Sequence, residues 1–315
     1  MLRTKALRKI FITTLTLFIL LTIYTIPNTN NSNVLKTNLE VESATGLYTN
    51  SIYLLNEDNY LVKARILLDC SKTEDKVTKI ISNLTISDNN NFFNNLNPLI
   101  PKNTKLLSVK KEDKLITLNF SKEFLNMRVD REKQIISSIV YSILDLEDVE
   151  KITILVENKQ LEQYPNTKEK IPRELDKSIG INKEYNISSR NNISKVVVYY
   201  INRLNNDNYY VPVTKYLNDD RDKIKIIVEE LTTSYIHENN LMSFLNNNTK
   251  LIDYKEQENV MFLNFNDYLF DGNKKVLEEV LYTISYSVFA NYDVNQVMLQ
   301  VNGKNIESIG INELP

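Results

Sequence analysis

The chain carries one histidine, His237, and one cysteine, Cys70, and those counts remove most site chemistries at once. A Ser-His-Asp or Cys-His arrangement would have to be built on His237. That residue sits in Tyr235-Ile236-His237-Glu238-Asn239-Asn240, a polar stretch after a helical pattern, and reads as a surface histidine. Sites needing two imidazoles, an intrachain disulfide or a thiolate zinc cluster are all excluded. Cys70 ends a strand-like segment and reads as a small, half-buried hydrophobe.

Carboxylates are more plentiful but poorly arranged. Asp219-Asp220-Arg221-Asp222 lacks the alternate-position spacing and distal Glu of a calcium loop. It reads instead as the acidic first turn of a helix, complementing the macrodipole. Glu229-Glu230 and Glu278-Glu279 read as solvated helix faces. Glu123 and Asp267 fall near similar strand ends without aligning, so they give no support to a glycosidase pair. No Gly-rich phosphate loop occurs, and only five glycines are present. No catalytic, cofactor-binding or metal-binding residue is therefore assigned, and no cofactor is expected.

Tyr199, Tyr200, Tyr209, Tyr210 and Tyr216 crowd one stretch. Tyrosine is enriched at interfaces, yet strands also favour it for packing, so both roles stay open.

The elements that hold these residues come in two sets. Residues 103–162 align without a gap to residues 248–307, and the strongest block runs from Thr104-Lys105-Leu106 to Leu118-Asn119-Phe120 against Thr249-Lys250-Leu251 to Leu263-Asn264-Phe265. Ile116, Leu118 and Phe120 alternate as in a half-buried strand, as do Met261, Leu263 and Phe265. Ile135, Ile136, Ile139, Ile143 and Leu144 mark one helix face, and Val280, Leu281, Ile284, Val288 and Phe289 repeat it. Ile152, Ile154 and Val156 form a last strand, matched by Val297, Leu299 and Val301, which turns through Asn302-Gly303. Earlier, Val77, Ile80, Ile81 and Leu84 match Ile224, Ile227, Val228 and Leu231, both at helical spacing.

The expected fold class is α+β: two tandem copies of strand-strand-helix-strand-strand-helix-strand, each a small mixed sheet with both helices on one face. The copies are placed at 50–162 and 195–311. Between them 163–194 reads as a polar linker with a short helix near Arg173–Lys177.

At the N-terminus Arg3, Lys5, Arg8 and Lys9 precede Ile10–Ile26, a run without charge. A helix there spans about 25 Å, close to a ~30 Å hydrocarbon core. The basic segment 1–9 would stay cytoplasmic, 10–26 would be a single transmembrane anchor, and 27–49 a polar spacer carrying the rest outside. A cleavable signal peptide is the competing reading, against which Tyr24-Thr25-Ile26-Pro27 is a poor cleavage site. Outside the basic cluster, acidic residues outnumber basic ones, which argues against nucleic acid as a partner.

Each copy resembles the GerM-type sporulation and spore-germination (GerMN) domain. The resemblance is carried by Tyr209-Tyr210-Val211-Pro212-Val213, where the first copy has Tyr60-Leu61-Val62-Lys63. Ile100-Pro101-Lys102-Asn103-Thr104 is similar to the lead-in of the domain's middle hairpin, with Asn103 where Gly is usual. Val301-Asn302-Gly303-Lys304 is similar to its closing turn, which the first copy reduces to Val156-Glu157-Asn158-Lys159. The resemblance implies a non-enzymatic envelope protein of spore-forming bacteria. Its partners would be other envelope and sporulation proteins, and the setting would be a complex at the membrane. Members are typically lipid-anchored, and here Cys70 lies too far along to serve. An extracytoplasmic binding module for a cell-wall glycan or small ligand is the alternative.

Overall fold

The computed structural model describes residues 48–87, 95–204, 207–233 and 240–314. The transmembrane segment read at 10–26 and His237 lie outside them. Among the described residues no helix is long and apolar enough to cross a membrane.

The first copy runs β1 (Tyr48–Leu55), β2 (Leu61–Leu68), α1 (Thr73–Leu84), β3 (Leu106–Glu112), β4 (Leu115–Phe120), α2 (Glu132–Ile143), β5 (Lys151–Val156) and β6 (Lys159–Gln160). After a short β7 (Glu184–Asn186), the second copy repeats this order. It comprises β8 (Ile193–Leu204), β9 (Asp207–Asn218), α3 (Lys223–Thr233), β10 (Leu241–Met242), β11 (Leu251–Gln257), β12 (Val260–Phe265), α4 (Glu278–Phe289), β13 (Gln296–Val301) and β14 (Lys304–Gly310).

The strands of a copy do not join into one sheet, which corrects the expectation of a single mixed sheet. In the first copy β1 and β2 form a separate antiparallel hairpin, while β3-β4-β5-β6 make a four-stranded sheet. The β4–β5 pair is parallel and the other two are antiparallel. The second copy has the same mixed sheet in β11-β12-β13-β14, with its long hairpin extended to β10-β8-β9-β7.

The helices explain the split. The sequence pattern predicts one apolar stripe on the second helix of each copy. Instead, every residue of α2 from Ile135 to Ile143 is buried, and so are Val280, Leu281 and Thr283–Val288 of α4. A helix with a solvent face cannot do this. Its isoleucines enter the core, and its small polar face is covered by the hairpin. Ser138 Oγ donates to Tyr53 O at 2.6 Å, and Tyr53 N donates to Ser142 Oγ at 2.9 Å. In α4, Ser287 Oγ accepts from Tyr199 N at 2.8 Å. Hydroxyls one helical turn apart thus satisfy backbone groups of β1 that no neighbouring strand reaches.

The closing turns show why Leu-Asn-Phe recurs. Asn119 and Asn264 are both buried, and their side-chain oxygens accept from Asn158 N (3.0 Å) and Gly303 N (2.8 Å). Both turns place two residues at positive φ: Glu157 and Asn158 in one, Asn302 and Gly303 in the other. Asn103, standing where Gly is usual, has φ +69°, so left-handed backbone is what that position requires.

The stretch between the copies is built in. Ile171, Leu175 and Ile181 are buried, and Leu175 bridges to Ile152. A 3-10 turn at Lys177–Ile179 stands near the short helix predicted around Arg173–Lys177. Glu132, at the start of α2, is 1% exposed and receives Asn166 N (2.9 Å), Asn166 Nδ2 (3.1 Å), Thr167 N (3.0 Å) and the Thr167 hydroxyl. Burial pushes its carboxyl up, but these donors outweigh that and hold it below its ordinary value.

Candidate functional site

Both copies belong to one compact unit beginning at Gly46, and their hairpins meet through equivalent residues. Asn56 Nδ2 donates to Asn202 Oδ1 at 3.0 Å, both side chains being buried. Tyr53 and Tyr199, which occupy matching places in β1 and β8, bring their phenols together, each raising or lowering the other's pKa. Like meeting like across a seam is the signature of a two-fold relation, here between halves of one chain. Asn182 sews the seam: it accepts from Leu61 N (2.9 Å) and donates to Leu61 O and Pro212 O (2.8 Å each).

The tyrosine cluster finds its role here. Strand alternation sends the neighbours Tyr199 and Tyr200 to opposite faces. Tyr199 stacks on Tyr286 (5.0 Å between centroids, 17°), and Tyr210 packs against Tyr282 and Tyr286. Tyr200 points the other way, donating to Glu230 Oε2 at 3.1 Å. Lys215 joins it, bonded to Glu230 and 3.4 Å from Glu184. Glu230 is therefore a partner in a buried network and not a solvated face, which corrects that expectation. Tyr216 stacks on the exposed Tyr185 (4.9 Å, 11°).

Where the hairpins diverge they leave an open cleft of about 1180 Å³. Its walls come from β1 and β2, the end of α2, Lys177 and Ser178, β8, the end of α4, and Ile311 to Leu314. Six cations line it: Lys63, Arg65, Lys76, Lys177, Lys195 and Lys223. Asp145, Glu147 and Asp148 are the carboxylates. Two of these acids are occupied, since Asp145 Oδ2 accepts from Ser51 N at 3.0 Å and Asp148 pairs with Lys111.

Lys63 lies 4.7 Å above the Tyr286 ring, with Nζ 3.4 Å from its hydroxyl. Burial lowers its pKa from 10.5 to about 8, against the opposing pull of Asp145. Lys177 is reached by water yet walled by protein, and desolvation lowers it too. Burial pushes the Tyr53, Tyr199 and Tyr286 phenols up, so they stay protonated as hydrogen-bond donors. The wall N–H groups are spent on side chains: Ser51 N on Asp145, Tyr53 N on Ser142, Val197 N on Asn291 and Tyr199 N on Ser287. They cannot form an oxyanion hole. The cleft can hold negative charge.

The residues weighed for chemistry stay apart. Cys70 is half-buried against the core. Asp219 and Asp222 precede α3 instead of forming its first turn, with Asp219 clamped on Arg221 and Asp222 taking the Tyr254 hydroxyl. Glu123 and Asp267 each sit in a 3-10 turn. Among the described residues no three potential metal ligands cluster. Sequence reasoning did not find the cleft, because Lys63 and Lys177 are far apart in the chain. The one signal was Lys63 standing at the place of Pro212.

Three comparisons bear on this architecture. The Germane family model, described as sporulation and spore germination, matches residues 51–162 and 197–307. The spore germination protein GerM of Bacillus subtilis (strain 168) is 24% identical over 292 residues, covering 88% of this chain and 79% of that protein. The solved tandem GerMN domains of the sporulation protein GerM from Bacillus subtilis superpose with a TM-score of 0.77 at 23% identity. That match covers 85% of this chain and 97% of the solved one.

Proposed function

From the premise that this chain belongs to the Germane family of sporulation and spore germination, we propose that it is a non-enzymatic assembly protein of the envelope. It would be tethered by residues 10–26 and would dock onto other envelope proteins. Similarity to the spore germination protein GerM of Bacillus subtilis supports that setting.

The observation that carries the reading is an exposed feature present in both copies. The edge strands β3 and β11 each bear a bulge, between Leu106 and Ser108 and between Leu251 and Asp253. At the two bulges stand Leu107 (46% exposed) and Ile252 (53% exposed). Bulges normally blunt an open edge against pairing. A large aliphatic side chain held outward there serves contact with a partner better than it serves solubility.

The test combines place and contact. A C-terminal fluorescent fusion that matures outside the cytoplasm should concentrate at the engulfing septum during sporulation. A photocrosslinking amino acid at position 107 or 252 should capture a specific protein there, and Leu107→Asp with Ile252→Asp should abolish the capture and impair sporulation. Uniform signal around vegetative cells, or a double variant that sporulates normally, defeats the proposal.

A further inference from the structure

Equivalent residues meet at the seam between the copies, as Asn56 and Asn202 do, whereas in the cleft the two copies differ in charge. In β1–β2, Tyr53 pairs with Lys63 and Ser51 with Arg65. In β8–β9 the same register pairs Tyr199 with Pro212 and Val197 with Thr214. Proline and threonine fill in the second copy the places that lysine and arginine fill in the first, so the fold itself requires no cation there. At the end of α2, Asp145 secures Ser51 N, whereas Asn291 secures Val197 N without charge.

Among the described residues, Lys63, Arg65, Lys177 and Lys195 have no carboxylate within ion-pair distance. Arg65 donates to Leu314 O, and Lys195 Nζ to Ser178 O at 2.7 Å; both acceptors are neutral, and Asp145 and Asp176 attract Lys63, Lys177 and Lys195 only from beyond ion-pair distance. Lys63 is also desolvated at a cost to the ammonium form. Unpaired cations crowded into a concave site point to a ligand that brings the missing charge.

We infer that the cleft between the two copies binds a non-peptide ligand carrying several oxyanions, phosphate or carboxylate groups on a saccharide or polyol chain. The cleft exceeds the usual ~300–1,000 Å³ of a small-molecule pocket and is open, which suits a segment of a longer chain. A peptide strand would seek main-chain partners, and on the strand walls the N–H groups of Ser51, Tyr53, Val197 and Tyr199 are already taken by Asp145, Ser142, Asn291 and Ser287. Lysine, arginine and phenol donors remain, and they recognise oxyanions. This inference does not depend on the edge strands β3 and β11.

Equilibrium binding to the full chain tests it with three probes: polyphosphate, polygalacturonate and poly-glutamate. Polyphosphate or polygalacturonate should bind, and whichever binds more tightly identifies phosphate or carboxylate as the native charge. The Lys63→Met, Arg65→Thr pair should weaken that binding at least tenfold, and Lys195→Met should weaken it further. Lys274→Met, outside the cleft, should leave it unchanged, and thermal melting should show each variant folded. Lack of binding to either non-peptide probe at millimolar concentration overturns the inference. Binding that survives the cleft substitutions, as it would if held by the basic N-terminus, overturns it too. Tighter binding of poly-glutamate overturns the non-peptide assignment.

Discussion

The two copies are one frame filled twice, and their differences separate what the frame needs from what each copy adds. Both keep the buried asparagine behind the closing turn, the hydroxyl that caps the first hairpin strand, and the aliphatic bulge on the edge. Only the first copy has the Glu132 anchor, where the aligned position in the second is Leu277, and only the first supplies Lys63 and Arg65 to the cleft. The second copy has its own buried network of Lys215, Tyr200 and Glu230. Features held in common maintain the fold. Those held singly serve the seam, the connecting stretch and the cleft.

The largest expected effect breaks the shared frame. Phe120 and Phe265 are both fully buried, and either substitution to Ala should cost ~3–5 kcal/mol in denaturant unfolding. Phe120→Ala should cost more by ~0.5–1.5 kcal/mol, because Phe120 stacks on Phe124 at 4.2 Å and 9°, while the aligned partner in the second copy is Leu269. Equal losses would show that the stack contributes nothing beyond area.

Glu132→Leu gives the first copy the second copy's residue and should still destabilise, by ~1–3 kcal/mol, because it removes the buried carboxylate on which the donors of Asn166 and Thr167 converge. The sign with pH follows from the lowered carboxyl. The wild-type contribution is complete above the ordinary value of 4.5 and is lost as pH falls through the lower folded value. Wild type and variant should therefore converge in acid, and a gap independent of pH between 3 and 7 would contradict the assignment.

Lys63→Met should do the reverse and stabilise by ~1–3 kcal/mol at pH 7. A lysine lowered to about 8 binds fewer protons folded than unfolded between pH 8 and 10.5. Wild-type stability consequently rises across that window, and the variant's advantage disappears above it. A Lys63→Met protein less stable than wild type at pH 7 would indicate a structural lysine and remove one support of the cleft proposal.

The smallest effect concerns the closing turns. Glu157 holds φ +48° where the second copy has Asn302 at +49°. Asparagine tolerates that region better, so Glu157→Asn should raise stability by a few tenths to ~1 kcal/mol, read as a rise in melting temperature. The reverse substitution at Asn302 should lower it.

Much of the frame was legible in the residues. The repeat, the strand alternation through Phe120 and Phe265, and the Asn302-Gly303 turn follow from local periodicity, which reports the side a segment buries. That Glu230 is half-buried was hidden, because its partners Lys215 and Tyr200 lie on strands that only folding brings near. The serines of α2 lie outside the apolar stripe that its periodicity marks. They are buried because a hydroxyl can satisfy a strand edge as well as water can, and the sequence does not say which it meets.

By itself the sequence determined the duplication, the order of elements, the family resemblance and the scarcity of histidine and cysteine, one of each, since each is a property of residue type and short-range spacing. Tertiary structure alone decided that each copy splits into hairpin and mixed sheet, that the tyrosines face one another at a two-fold seam, and that Lys63, Arg65, Lys177 and Lys195 share one cleft. Those outcomes depend on contacts between residues far apart in the chain. Periodicity fixes the face a residue presents, and only the packing of one element on another fixes what that face meets.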